Sequence, residues 1–133
     1  MVESGPRSRV AETLPRMKIS TRKVEDVTLV DISGHIVLGP ETGLLRGTVH
    51  DLLGRGDRKI ILNLAEVSYI DSSGLGELIA SYTTVRNQGG QLKLLNLTKK
   101  VQDLLLVTKL YTIFDVKESE YLAVKSFDWF FAK

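Results

Sequence analysis

The stretch from Ile61 to Ile79 reads ILNLAEVSYIDSSGLGELI and places an apolar run, a polar turn and a second apolar run in succession. The first run belongs to Lys59–Leu64, whose three consecutive apolar residues are typical of a strand covered on both faces. From Leu75 to Val85, apolar residues recur at helical spacing, and the sequence NQGG ends that pattern. The sequence therefore predicts a central strand with parallel neighbours, followed at once by a helix.

The segments on both sides continue the alternation of strands and helices. Upstream, two short runs rich in Ile, Val and Thr predict a β-hairpin, and a helix starting near Pro40 and ending at Gly54 follows it. The predicted elements outside the central unit are the strands Met17–Lys23, Val27–Ser33, Gln91–Asn96 and Phe114–Lys117, a helix capped by Thr98, and a helix over Ser119–Lys125. This order predicts an α/β fold with a mixed sheet of four to five strands packed with about four helices.

The two ends of the chain differ from this pattern. Residues 1–16 mix Pro, Ser, Gly and Arg without a clear period and predict a flexible leader, whereas residues 17–126 form the predicted domain. Residues 127–133 form an aromatic C-terminal extension with Phe127, Trp129, Phe130 and Phe131. Two interpretations apply to this extension: it packs on the core, or it forms the contact of a homodimer.

Composition excludes several classes of function. The 133 residues suit one domain, and a formal net charge of +2 is too small to indicate a nucleic-acid partner. With no cysteine and two histidines, the chain offers neither thiol chemistry nor a plausible metal site, and no cofactor is expected. Because no apolar run approaches the length of a membrane-spanning helix, we expect a cytoplasmic protein that does not contact the membrane.

The polar turn at residues 71–76, DSSGLG, is the segment that carries chemistry. A helix N-terminus has free N–H groups and partial positive charge, so it accepts a capping oxygen or a phosphate. One interpretation is structural: a side chain of the turn caps the helix, and the glycines permit a tight turn. The turn lacks the Gly-Lys-Ser/Thr ending of a P-loop and the glycine spacing of a dinucleotide fingerprint, which argues against nucleotide binding.

The same stretch, with its DSSGLG string and the order of strands and helices, resembles the bacterial anti-sigma factor antagonists of the STAS family. The resemblance covers about Met17 to Lys125, including the NQGG turn and the later KKVQDLL segment. It implies a STAS-type domain without enzymatic activity, in which an anti-sigma factor with serine kinase activity phosphorylates Ser72. It further implies that the dephosphorylated form binds the anti-sigma factor and frees a sigma factor, and that a serine phosphatase restores this form.

The resemblance also assigns roles to residues around Ser72, and it leaves alternatives open. Ser73 is the alternative phosphorylation site, and Asp71 either caps the helix or presents the Ser72 hydroxyl to the kinase. The phosphorylation loop at the partner surface comprises Asp71, Ser72, Ser73, Gly74, Leu75 and Gly76, with the two glycines allowing close approach. Ile36, Val37 and Leu38 correspond to a second partner-binding loop, although simple packing explains them equally well.

Two other functions remain open at the level of sequence. STAS domains also serve as accessory or scaffold subunits beside lipid-transport ATPases or in stress-signalling assemblies, where no modified serine is needed. A serine hydrolase that combines Ser72 with His35 or His50 is the remote alternative, since the chain lacks a Gly-x-Ser-x-Gly elbow. Phosphorylation by a host kinase separates the first alternative from the antagonist, and an ester hydrolysis assay tests the second.

Overall fold

The computed structural model describes residues 16–131, and the side chains from residue 128 onward are not described. Within residues 16–131 the chain forms five strands, four α-helices and one short 3-10 helix. In chain order these are β1 (Lys18–Val24), β2 (Val27–Ile36), α1 (Leu44–Gly54), β3 (Lys59–Ile70), α2 (Ser72–Asn87), β4 (Gln91–Leu95), α3 (Lys99–Val107), the 3-10 helix Leu110–Thr112, β5 (Asp115–Lys117) and α4 (Glu120–Phe131). The predicted α/β class and the numbers of strands and helices are confirmed.

The five strands form one mixed sheet in the order β1-β2-β3-β4-β5. β1 pairs with β2 in an antiparallel hairpin, whereas β2, β3, β4 and β5 run parallel to one another. β3 is therefore the central strand, as its apolar run predicts. The strand expected to end at Leu64 continues to Ile70, because β2 also extends and keeps pairing with it as far as Ile36.

Helices cover both faces of this sheet. α1, α2 and α3 pack on one face around a large apolar core, and α4 packs on the other face around a smaller one. The helix predicted over Ser119–Lys125 runs on to Phe131, and Phe127 is fully buried in the smaller core. Packing on the core is thus confirmed for Phe127, while the side chains of Trp129, Phe130 and Phe131 lie outside the described part.

Two local expectations need correction. α1 begins at Leu44 rather than near Pro40, because Pro40 lies in a turn in which the Thr42 N–H donates to the Gly39 carbonyl. Gly43 precedes the helix with φ +90°, a conformation that glycine adopts without strain. Thr98 occupies the N-cap position of α3, but its hydroxyl donates to the Val67 carbonyl at 2.8 Å and ties the helix to β3 instead.

The predicted leader lies almost entirely outside the described residues. Its last member, Arg16, is described, and its guanidinium forms an ion pair with Glu41 at 2.6 Å. The next residue, Met17, is buried in the larger core. This contact fixes the point where the chain enters the sheet, beside the loop that follows β2.

Candidate functional site

Ser72 stands where β3 ends and α2 begins. It is the first residue of α2, and its side chain is exposed, whereas Ser73 is half-buried. A hydroxyl at the first helical position lies next to the unpaired N–H groups of the first turn, which favour a negative charge. The structure therefore places the predicted phosphorylation site on an accessible surface that can stabilise a phosphate.

Asp71 is the N-cap of α2 and connects two loops. One carboxylate oxygen accepts the Gly74 N–H at 2.8 Å, and the other accepts the Leu38 N–H at 3.1 Å. The N–H group of Gly74, followed by that of Leu38, lowers the pKa of Asp71. Of the two roles predicted for this residue, the structure shows the helix cap, and it adds a contact to the loop after β2.

Gly74 allows α2 to approach the end of β2. A Cβ at this position would lie 1.9 Å from the carbonyl oxygen of Ile36 and 2.8 Å from Cγ2 of Ile70, so no larger residue fits without movement. A Cβ at Gly76 would meet nothing within 4 Å. Close approach thus explains Gly74 but not Gly76, and the half-buried Leu75 packs against the larger core.

The loop after β2 contributes both support and surface. Ile36 is buried, and its carbonyl accepts the Asp71 N–H at 3.3 Å. Ile36 therefore anchors the start of this loop to the core and to Asp71. Val37 is half-buried, whereas Leu38 is 71% exposed. Packing therefore explains the Ile36 side chain, and the surface available to a partner comes chiefly from Leu38.

Sequence reasoning missed Tyr69 as part of this surface. Tyr69 is 47% exposed at the end of β3, and its ring meets that of His35 edge to face, with 5.6 Å between centroids. Its exposure follows from a register shift between β2 and β3, after which Ser68 and Tyr69 together separate two buried residues. A break in the alternation of apolar and polar residues in the second half of β3 is the only signal in the sequence.

The two histidines lie in different surroundings. His35 stacks against Tyr69, and His50 lines a shallow surface cleft with Thr21 and Arg55. The carboxylate next to Ser72 is occupied by backbone N–H donors. Within residues 16–131, no side-chain hydrogen bond joins Ser72 to either histidine.

Two comparisons of the sequence with known proteins identify its family. The family model of the STAS domain matches residues 18–123. The anti-sigma-B factor antagonist of Bacillus subtilis (strain 168) is 34% identical over 101 residues, which cover 75% of this chain and 90% of that protein. This chain belongs to the STAS-domain anti-sigma factor antagonist family.

Solved structures share the STAS fold. The anti-sigma factor antagonist SpoIIAA in its unphosphorylated form superimposes with a TM-score of 0.69 at 17% identity, covering 84% of this chain and 96% of that one. The phosphorylated form of the Bacillus SpoIIAA superimposes with a TM-score of 0.63, also at 17% identity, covering 84% of this chain and 98% of that one.

Within residues 16–131, this STAS domain has no helix both long and apolar enough to cross a membrane.

Proposed function

We propose that this STAS protein is a phosphorylation-switched anti-sigma factor antagonist of the cytoplasm. In its dephosphorylated form it binds an anti-sigma factor with serine kinase activity and thereby releases a sigma factor. That kinase inactivates it by transferring a phosphoryl group to Ser72, and a serine phosphatase reverses the modification. The name of the Bacillus subtilis relative, an anti-sigma-B factor antagonist, supports the antagonist role.

One observation carries this proposal: an exposed serine hydroxyl begins α2 in the middle of an accessible, partly apolar surface. Leu38, in the loop after β2, and Tyr69, near the end of β3, are large exposed apolar residues beside the Ser72 loop. Apolar surface flanking a modifiable hydroxyl suits a partner that must bind one state and leave the other. Ser73 is half-buried, which favours Ser72 as the acceptor.

The electrostatics of the site are sufficient for a switch. A phosphate adds about −1.5 to −2 charges at neutral pH and would stand beside the ionised Asp71. At an effective dielectric constant near 20, the phosphate and a negative charge of the partner about 5 Å away repel each other by about 3 kcal/mol. A loss of that size weakens binding by more than about a hundredfold. One phosphate on Ser72 can therefore release a partner that presents negative charge to this loop.

An accessory or scaffold role is the second candidate, because the same fold and the same capping aspartate are compatible with an unmodified serine. It would be favoured if Ser72 never carries a phosphate.

The homodimer through the aromatic C-terminus stays a prediction. Since Phe127 is buried, only Trp129, Phe130 and Phe131 remain for that contact.

Affinity capture from native-host lysate tests the switch with four baits: wild type, Ser72→Ala, Ser72→Glu and Thr83→Glu. Thr83 is exposed on the same helix, so the last bait adds the same charge away from the loop. We expect a small ATPase-type kinase on wild type, Ser72→Ala and Thr83→Glu, its loss from Ser72→Glu, and phosphate on Ser72 by mass spectrometry. If all four baits retain the same partners and Ser72 is unmodified, the protein is an accessory STAS subunit.

A further inference from the structure

Glu77 is a buried carboxylate without a partner in the free protein. It lies on α2, five positions after Ser72, and only 9% of its surface is exposed. Its Oε1 is enclosed and accepts no hydrogen bond, and within residues 16–131 no ion pair reaches this side chain. Burying an unpaired carboxylate costs stability, because the group loses its water and gains no protein contact in exchange. The charge of Glu77 therefore stabilises nothing in the free protein.

The helical phase of α2 directs Glu77 toward α1. Gly74 touches the end of β2, so its side of α2 lies on the sheet. With about 100° per residue, Tyr82 lies about 80° to one side of Gly74 and Glu77 about 60° to the other. The Tyr82 side faces β5, since its ring meets that of Phe114 edge to face. Glu77 thus belongs to the opposite flank, along which α1 packs directly against α2.

A second unpartnered polar group lies one turn farther along the same flank. Ser81 is 1% exposed, and its Oγ also forms no hydrogen bond. Side chains four positions apart on a helix have Cβ atoms about 5–6 Å apart, so Glu77 and Ser81 are neighbours. The buried residues of α1 are all apolar and can pair with neither group. The contact between the two helices thus contains a carboxylate and a hydroxyl that both lack a hydrogen-bond donor.

An arginine side chain suits this pair of acceptors. Its guanidinium stays charged, carries five N–H donors in a planar fork, and leaves water more readily than an ammonium group does. The only arginine of α1, Arg46, is exposed and forms no ion pair with Glu77. The partner proposed for the Ser72 loop, in contrast, would meet α2 at the end of the helix from which Glu77 is about 7.5 Å away. A basic group of that partner is therefore within reach of this carboxylate.

We propose that Glu77 is a recognition residue for the anti-sigma factor, and that it accepts a basic side chain which the partner inserts between α1 and α2. This inference rests on the proposed function, because it names a contact of the same partner. The burial of Glu77 is unfavourable in the free protein and becomes favourable when the partner supplies the opposite charge. The residue consequently selects a partner with a basic group at this position.

The stability of the purified chain provides the first test. Glu77→Leu replaces the unpaired carboxylate by an apolar side chain, so we expect the Tm to rise by about 2–6 °C. Glu77→Gln should not lower the Tm, and Glu118→Gln, at an exposed position after β5, is the control that should leave it unchanged. A lower Tm for Glu77→Gln would overturn the proposal, because an arginine of this chain, such as Arg46, would then already pair with the carboxylate.

Binding provides the second test, through affinity capture from native-host lysate with wild type, Glu77→Gln, Glu77→Asp and Glu118→Gln as baits. We expect the ATPase-type kinase on wild type and Glu118→Gln, and at least about tenfold less of it on Glu77→Gln. Glu77→Asp keeps the charge and should retain an intermediate amount. Equal amounts of kinase on all four baits, or no kinase on any of them, would refute the contact.

Phosphate on Ser72, measured on the same baits by mass spectrometry, separates this inference from the switch. If Ser72 of wild type is phosphorylated and Glu77→Gln retains the kinase in full, the switch stands and the Glu77 contact is wrong. If Ser72 is never phosphorylated but Glu77→Gln loses the kinase at an unchanged Tm, the contact stands and the switch is wrong.

Discussion

At the scale of single residues, Asp71 connects the start of α2 to the loop after β2. Replacing it by alanine removes the acceptor for the Gly74 and Leu38 N–H groups. Asp71→Ala is therefore expected to lower the free energy of unfolding by about 1–2 kcal/mol in urea denaturation at pH 7. Asp103→Ala is the matched control, because it removes a carboxylate from an exposed ion pair and should change stability by less than about 0.5 kcal/mol.

The same carboxylate gives the pH dependence a definite sign. Folding lowers the pKa of Asp71, chiefly through the Gly74 N–H, so the ionised form is favoured in the native state. Its stabilisation is complete above the unfolded-state pKa of about 4 and is lost as the pH falls through the native value. The difference in unfolding free energy between wild type and Asp71→Ala should thus narrow below about pH 4. A difference that stays constant down to pH 2 would contradict this assignment.

The sequence could predict the local part of this site but not the residues that surround it. The helix start at residues 71–73 is identified by signals that lie within a few positions of one another, whereas the choice of Ser72 came from the family resemblance. The exposure of Leu38 and Tyr69 depends instead on how β2 and β3 pair, since their partners lie 32 to 34 residues apart along the chain. No local pattern specifies that register, so sequence reasoning assigned Ile36 to the partner surface although its side chain is buried.

At the scale of elements, the contact between α2 and β2 depends on the missing side chain of Gly74. Alanine favours a helix over glycine by about 1 kcal/mol, but its Cβ would collide with the Ile36 carbonyl. Gly74→Ala is therefore expected to destabilise the protein by at least about 1–3 kcal/mol in urea denaturation. Gly76→Ala, two residues along the same helix in open space, should be neutral or stabilising by up to about 1 kcal/mol. Equal effects of the two variants would refute the close approach.

Element boundaries show where long-range contacts override local signals. The start of α2 and the hairpin turn at Glu25 and Asp26 were predictable, because capping and turn chemistry are local. The extension of α4 to Phe131 was not predictable, because nothing in the local sequence distinguishes its aromatic residues from a separate C-terminal tail. Phe127 covers that face, and only the assembled sheet shows that it needs covering.

At the scale of the whole molecule, the two apolar cores lie on opposite faces of the sheet, and the Ser72 loop is supported by the larger one. α4 closes its face through Phe127, whose ring lies 4.7 Å from the Lys93 ammonium, while that ammonium also pairs with Asp115 at 2.9 Å. The Ser72 loop belongs to the other face and to one edge of the sheet. The core beneath Ser72 is packed without the Ser72 side chain, so a charge added there changes the surface and not the packing. α4 lies on the opposite face of the sheet.

This separation predicts a local response to phosphorylation. Phosphoserine introduced at position 72 by genetic encoding should shift the amide resonances of Leu38 and Gly74 and leave those of Ala123 and Phe127 in place. The dipole of α2 favours the added charge whereas the neighbouring Asp71 carboxylate opposes it, so the free energy of unfolding should change by no more than about 1 kcal/mol. The unmodified protein, prepared in parallel, provides the reference spectrum and stability. Shifts on α4 as large as those at Gly74 would mean that the phosphate rearranges the fold, and partner release would then follow from a change of shape instead of local charge.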